Sequence, residues 1–184
     1  MSNLARKGGV AASIILIAMS VGLIAVGING RDTVRTDLAR EQIVGTPDST
    51  IPGQKVDSGS EAKAFAAVMR EHTLAATDGQ TYSQMGHYLD ASGQPTDEEA
   101  TAAKDPKTGE AVENPARNIW ISSTAFQTAL NTAYFAESVA TFVIAMGGAL
   151  LLVGIGLLVL TLKLLKPETR RERVVAPKVA SAQV

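Results

Sequence analysis

The sequence predicts an all-α membrane protein in which two transmembrane helices carry an extracytoplasmic helical domain built on their extensions. The first observation is a pair of apolar stretches, residues 10–28 and 138–162, neither of which contains Lys, Arg, Asp, Glu or His. A hydrocarbon core about 30 Å thick is crossed by roughly 20 apolar residues in a helix. Both stretches reach that length, so each predicts one membrane span.

The uneven distribution of charge is the second observation, and it orients the spans. The two ends of the chain carry 8 basic and 2 acidic side chains, whereas residues 31–137 carry 9 basic and 16 acidic ones. Lys and Arg are retained on the cytoplasmic side of a membrane, so we expect a two-pass plasma-membrane protein with both termini in the cytoplasm. The predicted parts are a cytoplasmic N-terminus (1–9), transmembrane helix 1 (10–28), an extracytoplasmic helical domain (29–137), transmembrane helix 2 (138–162) and a basic cytoplasmic tail (163–184).

The first span has two interpretations. Its basic start and its small-residue exit Ala25-Val26-Gly27 suit cleavage by signal peptidase. Its 19 uncharged residues exceed the roughly 7–15 of a signal-peptide core, which favours a retained signal anchor.

The first helix is expected to continue beyond the membrane to Ile43, with a weak point at Gly30 where it can bend. Opposite charges three residues apart support this extension: Asp32 with Arg35, and Asp37 with Arg40.

The next residues alternate between loops and short helices. Residues 45–59, rich in Pro and Gly, predict a loop, and Ser58 with Glu61 predicts a capping box that opens a helix over residues 60–75. Residues 77–90 remain ambiguous between loop and one or two helical turns. Turns are expected at residues 92–95 and 105–109, with a short polar helix between them from Thr96 to Lys104, opened by a second capping-box pattern of Thr96 with Glu99.

The last helix is predicted to run from Ser123 to about Leu165 and to include the second span. Phe126, Leu130 and Ala133 recur at helical spacing in its first half, and they require cover. The extension of helix 1 over residues 31–43 offers Val34 and Leu38, so we expect the two extensions to pair antiparallel.

Small residues at regular spacing predict close contact between membrane helices. The helix-packing candidates are Ala18, Gly22 and Ala25 in the first span and Gly147 and Gly154 in the second. Ala11 and Asn29 extend the first stripe, and Thr161 extends the second. Their partner is either the other span or another molecule.

Motifs for chemistry are sparse, so we expect no catalytic residues, no metal ligands and no cofactor. Neither span contains an ionisable side chain of the kind that ion pathways require. The chain has no Cys, and its two histidines, His72 and His87, show no metal-ligand spacing and are interpreted as surface residues. Glu137 is interpreted as a solvated residue at the entrance of the second span.

Four segments carry a resemblance to a known group of proteins. They are Thr77-Asp78-Gly79, Tyr82-Ser83-Gln84-Met85-Gly86, Asn114 to Trp120, and Thr128 to Glu137. The chain resembles small actinobacterial two-span membrane proteins of unknown function, over a stretch from the first span through the second. Members of that group are sometimes labelled aromatic-ring-opening dioxygenases, but this sequence lacks a set of iron ligands, and the resemblance implies no functional residues.

The function expected from these patterns is that of a non-enzymatic accessory or scaffold protein of the cell envelope, in a larger membrane complex. Its expected partners are the lipid bilayer and either other membrane subunits or further copies of itself, and no nucleic acid. The alternative is an outward-facing sensor or ligand-binding module that signals through the two spans. A pocket of convergent polar groups would favour the sensor, and a filled, Ala-lined helical stalk would favour the scaffold.

Overall fold

A computed structural model describes residues 2–164 of the chain and is mostly helical. Its elements are α1 (Ser2–Arg40), α2 (Gly59–Ala76), a 3-10 turn (Tyr82–Gln84), the two-residue antiparallel strands β1 (Tyr88–Leu89) and β2 (Pro95–Thr96), and α3 (Pro115–Leu164). Helices α1 and α3 are long and apolar enough to cross a membrane, with a mean hydropathy of 2.5 and 2.7 in their most apolar windows. The predicted basic tail spans residues 163–184, and its part from residue 165 onward lies outside the described residues.

Helix α1 is unbroken from Ser2 to Arg40, so Gly30 does not end it. The predicted ion pair between Asp37 and Arg40 forms, with Arg40 Nη1 3.1 Å from Asp37 Oδ1. The predicted pair between Asp32 and Arg35 is wrong, because Arg35 bonds to Glu137 instead.

The predicted capping box opens α2. The Glu61 carboxylate accepts the Ser58 backbone N–H at 2.9 Å, which satisfies a donor that the first helical turn leaves free. The preceding loop folds back on itself through a bridge between Val44 and Lys55, and it delivers Val56, 1% exposed, to the core.

The predicted helix from Thr96 to Lys104 is wrong. Thr96 belongs to β2, and its hydroxyl accepts the Glu98 N–H at 3.2 Å, an alternative to helical bonding. The backbone after β2 hydrogen-bonds to residues earlier in the sequence: the Ala103 N–H donates to Leu89 O at 2.8 Å. A polar segment without an apolar face gains too little from packing to remain helical.

Helix α3 begins at Pro115, eight residues before the predicted start at Ser123. The Asn114 side chain caps it, since Asn114 Oδ1 accepts the Ala116 N–H at 3.0 Å. Proline suits the first helical position because its missing N–H would have no partner there. The helix extends to Leu164, the last described residue.

The structure divides into two compact units, and each unit contains part of α1 and part of α3. In the unit of residues 23–145, one hydrophobic core joins α1, α2 and α3: Leu38, Val56, Ala62, Phe65, Ala66, Val68 and Leu130. The rings of Phe65 and Phe126 meet edge to face, with centroids 6.2 Å apart. The predicted antiparallel contact between the two extensions is confirmed by Leu38 and Leu130, but α2 also covers it.

The other unit consists of residues up to Gly22 and from Met146 onward, and the buried residues in its described part are all Gly, Ser or Thr. Ser13 and Ser20 are fully buried and donate to the carbonyl oxygens of Gly9 and Leu16 on their own helix. A Cβ added at Gly9 would lie 2.7 Å from Thr161 Oγ1. The Thr161 side chain of α3 therefore fills the space beside Gly9, and a methyl group at position 9 would have to displace it.

Candidate functional site

Glu137 is the only ionisable residue that is buried among residues 2–164, and it directly precedes the second apolar stretch. The residue is 8% exposed. Its Oε1 accepts Arg31 Nε at 3.0 Å and Arg35 Nε at 2.7 Å, and its Oε2 accepts the backbone N–H of Gly59. The interpretation of Glu137 as a solvated boundary residue is therefore wrong. We call Glu137, Arg31, Arg35 and Gly59 the carboxylate cluster.

Three helices supply the carboxylate cluster. Arg31 and Arg35 lie one turn apart on α1, where two like charges would repel without a shared anion. Glu137 belongs to α3, and Gly59 is the first residue of α2. A single carboxylate thus bonds to all three helices of the core.

Only glycine fits at position 59. A Cβ added there would lie 2.9 Å from Tyr134 Cα and 3.0 Å from Glu137 Oε2. The free N–H groups of the first turn of α2 also carry partial positive charge, which suits a carboxylate.

The carboxylate cluster keeps Glu137 ionised. Burial raises the pKa of Glu137, but the Gly59 N–H and the two guanidinium groups outweigh burial and lower it below its ordinary value. The charged form therefore prevails at neutral pH. Because three donors already occupy its oxygens, this carboxylate is suited to holding the helices together.

The five helix-packing candidates fall into two groups. Gly147 and Gly154 are buried, and a Cβ added at Gly154 would lie 2.9 Å from Ile17 Cγ1. Ala18, Gly22 and Ala25 are exposed on α1, and nothing lies within 4 Å of a Cβ added at Gly22. The small-residue stripe on α1 therefore faces away from α3. Other residues of α1, including Gly9 and Ile17, make the contact with α3.

The two histidines bond to two different aspartates. His72 Nε2 lies 2.6 Å from Asp48 Oδ2, and His87 Nδ1 lies 2.7 Å from Asp97 Oδ1. The hydrogen bond from His72 lowers the pKa of Asp48 to about 2, and the bond from His87 lowers the pKa of Asp97. No group of three His, Cys, Asp or Glu side chains in residues 2–164 is placed to hold a metal ion.

The unit of residues 23–145 contains an apolar groove and a polar pocket. The groove, of about 480 Å³, is lined by residues of both α1 and α3, including Leu38, Phe126 and Leu130. The polar pocket, of about 230 Å³, is lined by the following residues: Tyr82, His87, Tyr88, Glu113, Asn114, Arg117, Asn118 and Ile121. The guanidinium of Arg117 is fixed 3.9 Å above the Tyr82 ring centroid and donates to Met85 O at 2.7 Å.

Comparison with known proteins gives no relative. No protein-family model, curated protein or solved structure matches the chain.

Sequence reasoning did not find the carboxylate cluster. Glu137 directly precedes one apolar stretch and Arg31 follows the other after two residues, and charged residues in such positions commonly mark a membrane boundary. One signal was available: two arginines spaced four apart on one helix, and a glutamate at the same predicted membrane level on the other.

Proposed function

We propose that this chain is a non-enzymatic accessory or scaffold protein of the cell membrane, anchored by residues 10–28 and 138–162. In this proposal residues 29–137 form an extracytoplasmic platform and both termini are cytoplasmic. The carboxylate cluster is the observation that carries the proposal, because it ties the platform to both long helices where they leave their apolar stretches. A platform fixed to its anchors in this way suits a protein that positions partners.

The exposed small-residue stripe on α1 supports a membrane partner. Ala18, Gly22 and Ala25 lie on a face that α3 does not cover, and small residues allow a second helix to approach closely in lipid. We propose that this stripe receives a helix of another membrane subunit or of a second copy.

Purification in mild detergent tests the scaffold function. Subunits that co-purify in fixed proportion with the wild-type chain should be lost with Gly22→Leu. Gly156→Leu is the matched control, because a Cβ added at either glycine meets nothing within 4 Å. Loss of partners with both variants, or with neither, would contradict a role for the stripe.

Cysteine labelling tests the proposed topology. Single cysteines at Ser2, Ser92 and Ser181 should differ in their reaction with an impermeant thiol reagent in intact cells, and only position 92 should react. Reaction at position 2 or 181 before lysis would place a terminus outside.

The polar pocket supports a second candidate, the ligand-binding module. Glu113 and Arg117 place opposite charges on one cavity, and no ion pair joins them among residues 2–164. Its volume of about 230 Å³ is below the roughly 300–1,000 Å³ of sites for drug-sized ligands, so only a small ligand fits. Glycine or glutamate should raise the melting temperature of the wild-type chain and not of Arg117→Gln if this function holds.

A further inference from the structure

A cavity of about 350 Å³ lies beside the carboxylate cluster. Its lining comprises Arg31, Arg35, Gly59, Ser60, Tyr134, Glu137, Ser138 and Thr141. Arg31 follows the first apolar stretch after two residues, and Glu137 directly precedes the second. The cavity therefore opens where both helices leave their apolar stretches.

The two arginines keep most of their donors free. Each bonds to Glu137 through Nε alone in the described part of the chain, and a guanidinium has four further N–H groups on its two Nη atoms. The side chains remain 42% and 44% exposed. Their bonds to Glu137 hold both guanidinium groups in place, and planar guanidinium groups match the oxygens of a phosphate.

The cavity carries excess positive charge although residues 31–137 as a whole are acidic. Two guanidinium groups face one carboxylate in the lining, which leaves a net charge of +1. Lys63 adds a further cation beside it, with Nζ 4.5 Å from the ring centroid of Tyr134. The hydrogen bond to Glu137 raises the pKa of Arg35 most, and the charges of Asp57 and Glu61 raise it further, but neither Asp57 nor Glu61 lines the cavity.

We propose that this cavity binds the phosphate of a phospholipid headgroup at the bilayer face where α1 and α3 emerge. The inference rests on the membrane insertion proposed above. Headgroup phosphates lie just outside the hydrocarbon core, which is the level of Arg31 and Arg35. A lipid held there would attach the carboxylate cluster to the bilayer as well as to the three helices.

Native mass spectrometry of the full-length chain in detergent, titrated with phosphatidylglycerol, tests the proposal. The wild type should retain at least one lipid, and Arg31→Gln/Arg35→Gln should weaken binding about tenfold or more, because each basic residue near a membrane surface attracts anionic lipid. Arg40→Gln/Arg70→Gln is the matched control: it removes the same charge away from the cavity and should bind lipid like the wild type.

Glu137→Gln separates lipid binding from a purely structural role. This change raises the lining charge to +2 but releases the guanidinium groups from their fixed position, so lipid binding should persist and should exceed that of Arg31→Gln/Arg35→Gln. If Arg31→Gln/Arg35→Gln fails to fold, the triple variant that adds Glu137→Gln leaves no unpaired charge and should fold without binding lipid.

Three results would overturn the proposal. They are unchanged binding by the folded arginine variants, equal loss with Glu137→Gln, and displacement of the lipid by inorganic phosphate at millimolar concentration, which would indicate a site for a soluble anion. Extraction of the wild-type chain from membranes by alkaline carbonate would instead count against the proposed membrane insertion, so the two failures are distinguishable.

Discussion

Different kinds of contact stabilise the interior of each of the two compact units. In the unit of residues up to Gly22 and from Met146 onward, the buried residues among those described are glycines, serines and a threonine, and large apolar side chains such as Ile14 and Leu152 are exposed. In the unit of residues 23–145, Val56 and Phe65 are buried and a carboxylate bonds to two arginines.

Under the proposed membrane insertion, the difference corresponds to two solvents. Between helices in lipid no hydrophobic force acts, so close backbone approach and local hydrogen bonds stabilise the pair. In water, burial of apolar side chains is the main stabilising force, and buried charges need partners. Four changes test this comparison, from the largest expected effect to the smallest.

Leu130→Asp should have the largest effect. Leu130 is 3% exposed in the core of the unit of residues 23–145, so the change removes apolar packing and buries a charge. We expect the free energy of unfolding to fall by about 4 kcal/mol or more, measured by pulse proteolysis in detergent. Ala125→Asp is the control, because Ala125 is exposed on the same helix, and equal sensitivity of the two variants would contradict the described core.

Glu137→Gln should rank second. It removes the anion that holds Arg31 and Arg35 together, and since both arginines are partly exposed we expect a loss of about 2–3 kcal/mol. Glu113→Gln provides the control, as the Glu113 side chain is exposed and makes no ion pair in the described part of the chain. A loss below about 0.5 kcal/mol would show that the carboxylate cluster contributes little to stability.

Gly154→Leu should destabilise the pair of α1 and α3 by about 1–3 kcal/mol through overpacking. A Cβ at Gly154 already lies 2.9 Å from Ile17 Cγ1, whereas nothing lies within 4 Å of one at Gly156. Melting temperatures in detergent should therefore fall for Gly154→Leu and stay near wild type for Gly156→Leu and for the volume-conserving Leu157→Ile. Equal melting temperatures for the two leucine variants at glycine positions would contradict close contact at Gly154.

The smallest expected effect is a pH dependence. Because the pKa of Glu137 is lowered from 4.5 in the folded chain, its contribution to stability is fully present above pH 4.5 and is lost as pH falls through the lowered pKa. The stability difference between wild type and Glu137→Gln should thus shrink on acidification below pH 4.5. A difference that stays constant down to pH 2 would mean that Glu137 titrates alike in the folded and unfolded chain.

Local patterns in the sequence predicted the elements that depend on local chemistry. The apolar stretches indicated α1 and α3, Ser58 with Glu61 indicated the start of α2, and Asp105 with Gly109 indicated a turn that forms, with Gly109 at φ +74°. The start of α3 at Pro115 also had a local signal, an Asn before a Pro, but the following residues lack helical periodicity.

The carboxylate cluster and the strands depend on distant residues. Arg31 and Arg35 lie 106 and 102 residues from Glu137 along the chain. A pattern read over a short stretch of sequence therefore cannot include both an arginine and the glutamate that it bonds. Strands of two residues carry no alternating pattern long enough to detect, and the competing helix prediction at Thr96 failed because tertiary pairing overrides local propensity.

Hydrogen–deuterium exchange of the wild-type chain and of Glu137→Gln in lipid nanodiscs tests most directly the central claim, that one carboxylate ties the intervening residues to both long helices. We predict faster exchange in Glu137→Gln at the start of α2, around Gly59, and at residues 31–40 of α1, with exchange near Gly154 unchanged. Identical exchange in the two chains, or acceleration spread evenly over all helices, would contradict the claim.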